Sequence, residues 1–193
     1  MPRDSFLQRK TAVLSKLDKS SIGGWDEPIV SLCNKINGFD DFYTTSSCSG
    51  RIIVMVDQDK KGKGLFQFVS HDLVGFEDLW GKIQDLLDKS NLKNKYLKFK
   101  SEPPIIHICC RTLEGAKDVL EKAQSSGWKR SGVINLGKNI LVELICTDKL
   151  EFPLIRENKL LVDENFLKII LEKSNFNLKK GWKKIEKLEK IFK

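Results

Sequence analysis

The sequence predicts an α+β protein, a mostly antiparallel mixed sheet with flanking helices and no Rossmann-type core. Three observations carry that expectation. Segments of period two and period 3.6 follow one another as strand-strand-helix-strand-strand-helix-strand-strand, an order that also hints at an old internal duplication. No Gly-x-Gly-x-x-Gly follows a strand and no Walker-type loop is present, so the usual nucleotide-cofactor fingerprints are missing. At 193 residues the chain fits one α+β domain spanning 1–193, with a helical segment over 3–37, a sheet core over 42–150 and a helical segment over 163–192.

The elements follow in order. Phe6, Lys10, Val13, Leu14 and Leu17 fall at helical spacing, ahead of polar Asp18-Lys19-Ser20-Ser21 and Gly23-Gly24. A second helix starts near Asp26, a capping residue with Pro28 tolerated in the first turn; it carries Ile29, Leu32, Cys33 and Ile36, and Gly38 stops it. Arg51 to Asp57 is apolar on both faces, the mark of a central strand. A basic turn, Asp59 to Gly64, joins it to a second strand, Leu65 to Ser70, as a hairpin. The next helix buries Phe76, Leu79, Trp80, Ile83, Leu86 and Leu87.

The second half repeats the plan. Strands are predicted over Tyr96–Lys100 and Ile105–Cys110, on either side of Glu102-Pro103-Pro104, where neither proline can donate to a ladder. Thr112 caps a helix of Leu113, Ala116, Leu120 and Ala123, which Gly127 ends. Strands Ser131–Leu136 and Ile140–Thr147 follow, joined through Gly137-Lys138-Asn139. Beyond Pro153 two helices are expected. Asp163 caps the first, with Val162 and Leu167 placed as a hydrophobic staple; the last buries Trp182, Ile185, Leu188 and Phe192 and turns Lys183, Lys184 and Lys187 to water.

Composition narrows the function classes. Apolar residues at 40% and charged residues at 31% are the balance of a folded, soluble chain. No apolar run approaches the roughly 20 residues that cross a bilayer, and residues 1–20 lack the apolar core of a signal peptide. The five cysteines form no Cys-x-x-Cys pair, so neither a disulfide framework nor a zinc knuckle is indicated, and no metal is expected. A reducing cytoplasm follows. A formal charge of +8 favours a polyanionic partner, and from Lys179 to Lys193 seven lysines stand against Glu186 and Glu189. That tail is either a solvated helix face or an RNA-facing surface.

The densest polar cluster is Tyr43-Thr-Thr-Ser-Ser-Cys-Ser-Gly-Arg51, before the most apolar strand. Its hydroxyls and backbone N–H groups suit an anion, and Arg51 adds a bidentate fork. Cys48 is either a small buried thiol or a nucleophile with His71 or His107 as base, which would make the protein a cysteine hydrolase. The two histidines are either hydrogen-bonded structural residues or neighbours of Ser46 to Arg51 in one pocket at the sheet edge. Ser126 to Gly132 either caps a helix with Trp128 in the core or stacks a base on Trp128 while its two cations, Lys129 and Arg130, grip a phosphate. Glu143, between Val142 and Leu144, faces solvent if the strand alternates simply.

The string Phe42-Tyr-Thr-Thr-Ser-Ser-Cys-Ser-Gly-Arg-Ile52 resembles the signature of the wybutosine-synthesizing tRNA methyltransferase family. Further matches come in order: Asp18 with Ser20, Gly24-x-Asp26-Glu27, Val69-Ser70-His71, Phe99-x-x-Glu102-Pro103 with His107, Gly127 through Ser131-Gly132, Gly137-Lys138, Leu150-Glu151-x-Pro153-Leu154 and the lysine-rich end. The resemblance implies S-adenosylmethionine as methyl donor, tRNA(Phe) as substrate, methylation of a ring nitrogen of the tricyclic guanosine derivative beside the anticodon, and an archaeal source. It also implies the site: His71 and His107 as catalytic candidates, with Asp26 and Asp18 weaker ones. Ser46, Ser47, Cys48, Ser49, Arg51, Ser70, Glu102, Arg130 and Ser131 would hold donor or substrate, and Lys183, Lys184 and Lys187 would hold RNA. Methyl transfer is an in-line displacement whose acceptor nitrogen must lose a proton, and an imidazole with an ordinary pKa of about 6.5 suits that task. A non-catalytic basic RNA-binding protein is the alternative.

Overall fold

A computed structural model describes residues 4–16, 25–59, 62–88, 95–137 and 139–192. Asp18 and Lys138 lie outside them. Five helices and nine strands occur among the described residues, and every strand pairing is antiparallel. The α+β class stands as expected. The strands divide, however, into two sheets, of four and five strands.

The chain forms two compact units. The first comprises Met1–Ser49, Pro104–Thr147 and Gly181–Lys193, the second Gly50–Pro103 and Asp148–Lys180. In the first, helix α1 (Ser5–Leu14) begins at Asp4, whose carboxylate accepts the Phe6 and Leu7 amides. Helix α2 (Glu27–Asn37) begins at Asp26, but Asp26 does not cap it with its side chain. Strands β1 (Phe42–Cys48), β5 (Ile105–Cys110), β6 (Gly132–Leu136) and β7 (Ile140–Ile145) make the sheet β1-β5-β7-β6. Helix α4 (Leu113–Ser125) is capped by Thr112 Oγ1 on the Gly115 amide and ends at Gly127, which takes a φ of 93° that a side chain would resist.

One face of this sheet is packed dry. Ile106, Ile108, Val142 and Leu144 meet Ile29, Leu32, Cys33 and Ile36 of α2, and Ala116, Val119 and Ala123 of α4. Burying such side chains stabilises by about 1.5–3 kcal/mol each. Ile185, Leu188 and Phe192 complete this core as expected, with Trp182 half-buried. Trp128 is fully buried and its Nε1–H donates to the Lys184 carbonyl at 3.2 Å. The base-stacking reading of Trp128 is thereby corrected: the ring is core.

In the second unit β2 (Arg51–Val56), β3 (Phe66–Ser70), β4 (Tyr96–Glu102), β8 (Leu150–Arg156) and β9 (Lys159–Leu160) form the sheet β3-β2-β4-β8-β9. The β2–β3 hairpin, the central position of β2 and helix α3 (Phe76–Leu87) agree with expectation. Strands β1, β8 and β9 were not expected. Pro153 discourages a strand reading, yet it sits within β8 opposite Lys98, where the register with β4 shifts and the ladder does not require its missing N–H.

The two helices expected beyond Pro153 are one, α5 (Glu164–Ile191), 28 residues long. Asp163 does accept the Phe166 amide at its start. Asn175 clamps both backbone groups of Val74, accepting its N–H at 3.0 Å and donating to its carbonyl at 2.9 Å. Gly181 is needed because a Cβ there would meet Pro104 carbons at 2.7 Å.

Candidate functional site

In the first unit the hydroxyl-rich string is itself strand β1, so its side chains alternate between the two faces of the sheet. Thr44 and Ser47 fall on the core face, where Ser47 neighbours the Cys33 thiol; burial pushes that thiol up to about 11. Tyr43, Ser46 and Cys48 face the other way, level with Cys109, His107 and Ile105. Helix α1 covers only the Tyr43–Cys109 level of that face, through Phe6 and Val13 with Leu141 alongside.

The next level holds His107. The register of β1 against β5 shifts between Thr44 and Ser46, so that Thr45 is an extra residue and Ser46, not Thr45, stands opposite His107. His107 in turn stands opposite Glu143 on β7. Ser46 Oγ lies 2.9 Å from His107 Nδ1, and His107 Nε2 lies 2.8 Å from Glu143 Oε2. His107 and Glu143 are partly open, at 27% and 30% side-chain exposure, and Ser46 is exposed. A carboxylate offers only lone pairs, so in a neutral imidazole here the hydrogen belongs on Nε2 and Nδ1 accepts from the serine hydroxyl. Beyond Glu143 the row ends at Gly132 on β6, with no atom within 4 Å of where a side chain would begin.

Asp26 joins the string from α2: its Oδ2 accepts the Ser49 amide at 2.7 Å. Ser49 is fully buried, its hydroxyl without a hydrogen-bond partner among the described residues, and Gly50 beside it takes a φ of 100°. Cys48 is half-buried. Ser131 Oγ donates to the Trp128 carbonyl at 2.8 Å and accepts the Ile145 amide at 3.3 Å, bonds that secure the loop, while Arg130 is exposed. Lys183 and Lys187 are exposed as expected. Lys184 departs from the expectation: it is half-buried, with its methylenes 3.7–3.8 Å from where a Gly127 side chain would start.

The second unit carries Arg51, Ser70, His71 and Glu102. Arg51 Nε donates to Glu102 Oε2 at 2.7 Å, across the β2–β4 pairing, and its guanidinium lies 5.3 Å from the Phe66 ring centre. Lys100 holds the other oxygen of Glu102 at 2.7 Å. Burial raises the Glu102 carboxyl, but Lys100 and Arg51 outweigh it and hold the group below the usual carboxylate range. Lys98 pairs with Asp57 at 2.7 Å and with Glu151 at 3.2 Å; Glu151 also accepts from Lys149 at 2.8 Å. Arg51, Ile53, Met55, Leu65, Phe66 and Lys100 line a hollow of about 240 Å³. Ser70 Oγ bridges the carbonyl and amide of Asp72, closing the turn that carries half-buried His71.

Glu143, which sequence reading noted as odd and left facing solvent, is paired with His107. Its signal was the mid-strand position between apolar neighbours, which needs a partner strand to be interpreted.

A family model described as Methyltransferase TYW3 matches residues 8–193. The chain is 35% identical over 181 residues to a Methanocaldococcus jannaschii protein named tRNA(Phe) 7-((3-amino-3-carboxypropyl)-4-demethylwyosine(37)-N(4))-methyltransferase, covering 91% of each chain. It is 32% identical to a Danio rerio tRNA wybutosine-synthesizing protein 3 homolog, over 97% of this chain and 74% of that one. Among solved structures, the PH1069 protein of Pyrococcus horikoshii OT3 superposes with a TM-score of 0.81 at 28% identity, over 97% of this chain and 93% of that one. An Aeropyrum pernix protein shares the fold with a TM-score of 0.71 at 22% identity, over 86% and 96%.

Proposed function

The chain belongs to the methyltransferase TYW3 family, and from that premise we propose that it methylates a ring nitrogen of the wyosine-type base in tRNA(Phe), beside the anticodon. The observation that carries this reading is the matched span: nearly the whole chain aligns with relatives of one name, including the string from Thr44 to Arg51. A role as a passive RNA-binding protein is not favoured.

S-adenosylmethionine is the proposed donor; it supplies a methyl on a sulfonium and leaves as a neutral thioether. The residues present fit such a group. The buried Ser49 hydroxyl wants a polar partner, and the turn at Gly50 lets backbone approach a ligand closely. Ser46, Ser47, Cys48 and Ser49 are assigned to donor or substrate binding. Arg51, with Glu102 aligning its fork, is assigned to a carboxylate. Ser70 sets the turn before His71, Arg130 offers a cation, and Ser131 acts by fixing the loop that carries it. Asp26 acts through the Ser49 amide that it holds. The acceptor nitrogen's proton passes to an imidazole, and His71 and His107 are the two the chain possesses.

RNA affinity is assigned to the exposed Lys183 and Lys187, with Lys184 adding charge from a half-buried stem. Among the described residues no helix is long and apolar enough to cross a membrane. We place the protein in the cytoplasm, where its tRNA substrate resides, and in an archaeon, whose relatives reach 34–36% identity. The test is mass spectrometry of tRNA(Phe) nucleosides, from a strain lacking this modification step, after incubation with protein and S-adenosylmethionine. One added methyl on the tricyclic base is expected, and an unchanged base mass would refute the reading.

A further inference from the structure

We infer that Ser46, His107 and Glu143 form a proton relay on the open face of the first unit's sheet, with Glu143 as a positioning residue for the methyl-transfer reaction; this rests on the function proposed above. Three independent features converge on one level of the sheet. The Ser46–His107 and His107–Glu143 distances, 2.9 and 2.8 Å, are both hydrogen bonds, and they run in one line across three adjacent strands. The bulge at Thr45 puts Ser46, in place of Thr45, opposite the imidazole. Helix α1 stops one level short, so the serine end of the line is exposed while the glutamate end is not paired to any cation among the described ion pairs.

That last point separates this glutamate from the other carboxylates in the same sheets. Glu102 and Glu151 each hold lysine or arginine, as a structural carboxylate does. Glu143 holds only an imidazole, a group that changes charge near neutrality.

The transfer balances as follows. The sulfur–carbon bond of the donor breaks with its electron pair going to sulfur, and a nitrogen–carbon bond forms on the acceptor base. The nitrogen's proton moves to Ser46 Oγ as the serine's own hydrogen moves to His107 Nδ1. The imidazolium so formed keeps its Nε2–H on Glu143, whose negative charge stabilises it, and the proton then leaves to solvent through the exposed end. Glu143 thus does two things: it fixes the tautomer beforehand and it lowers the cost of the cation during transfer.

The two roles come apart in variants. Glu143→Gln keeps an acceptor oxygen for Nε2–H but loses the charge, so kcat falls about 10-fold or more while KM for tRNA and for donor stays put. Glu143→Asp, with charge retained on a shorter stem, recovers part of the rate. Ser46→Ala removes the conduit and falls with Glu143→Gln, and the double variant is no worse than the poorer single one, because members of one relay are not additive. Thermal midpoints are measured alongside, so that a folding defect registers separately. Wild-type kcat in Glu143→Gln, while the unmodified protein methylates tRNA(Phe), overturns the relay and leaves the methyltransferase reading intact. No methylation by the unmodified protein defeats that reading instead. Covalent labelling of Ser46 by a fluorophosphonate, lost in His107→Ala, would also overturn the relay by making Ser46 a nucleophile.

Discussion

The two sheets carry polar side chains across their strands in opposite ways. In the second unit Arg51, Glu102, Lys100, Glu151, Lys98 and Asp57 alternate in sign, and each charge is met by one or more opposite charges within 2.7–3.8 Å. In the first, the Ser46–His107–Glu143 row holds one carboxylate and no permanent cation. A ladder of matched fixed charges resists change: it orients a fork such as that of Arg51 and holds strands in register. A row built on a switchable imidazole does the reverse, because its middle member can accept a proton and give it back. The lesson is that charge density alone does not mark chemistry; what marks it is a titratable group left with a partner that its protonation improves.

The widest separation between the two sheets is expected in turnover. His107→Ala should lower methyl transfer by about 10²–10⁴-fold, the usual share of a general base, with little change in melting midpoint. Retention of the wild-type rate would place both sheets on the same structural footing. Next in size is Glu102→Ala, which leaves Arg51 and Lys100 facing each other and should cost about 1–3 kcal/mol in denaturant unfolding, with KM for substrate or donor rising more than kcat falls. Its pH signature follows from sign. Glu102 is held below its ordinary range, so its contribution is present above an unfolded pKa of about 4.3 and is lost as pH falls through the lower folded value. The variant's stability should therefore be flatter than wild type in acid, and parallel curves would break the assignment. The smallest effect belongs to Lys98→Met. Asp57 opposite it is 55% exposed, so less than about 1 kcal/mol is expected; a larger loss would mean that the ladder is cooperative along its length.

Much of the frame was legible in the chain because period and punctuation are local. Helices α2, α3 and α4 and the β2–β3 and β6–β7 hairpins fall where apolar spacing and Gly, Pro and Thr place them. What escaped depends on neighbours. Strand β1 is rich in serine and threonine, so its alternation carries no contrast in hydropathy, and a bulge interrupts even that period. Within the unbroken α5, Asn175 and Gly181 answer to Val74 and Pro104, 101 and 77 positions away in the chain. The catalytic candidates were legible as residue types, whereas the link to Glu143 spans 36 residues and exists only once β5 and β7 pair.

The extra residue in β1 has a consequence for how this stretch of chain tolerates alteration. Point substitutions at Thr45 leave the order of side chains on each face intact, and even loss of that one residue would restore an unbroken ladder with Thr44 still opposite Ile108 and Ser46 still opposite His107. Only the local bend and twist that the bulge gives the strand would go. Which residue stands opposite the imidazole, more than what fills the bulge, is what this short string has to conserve.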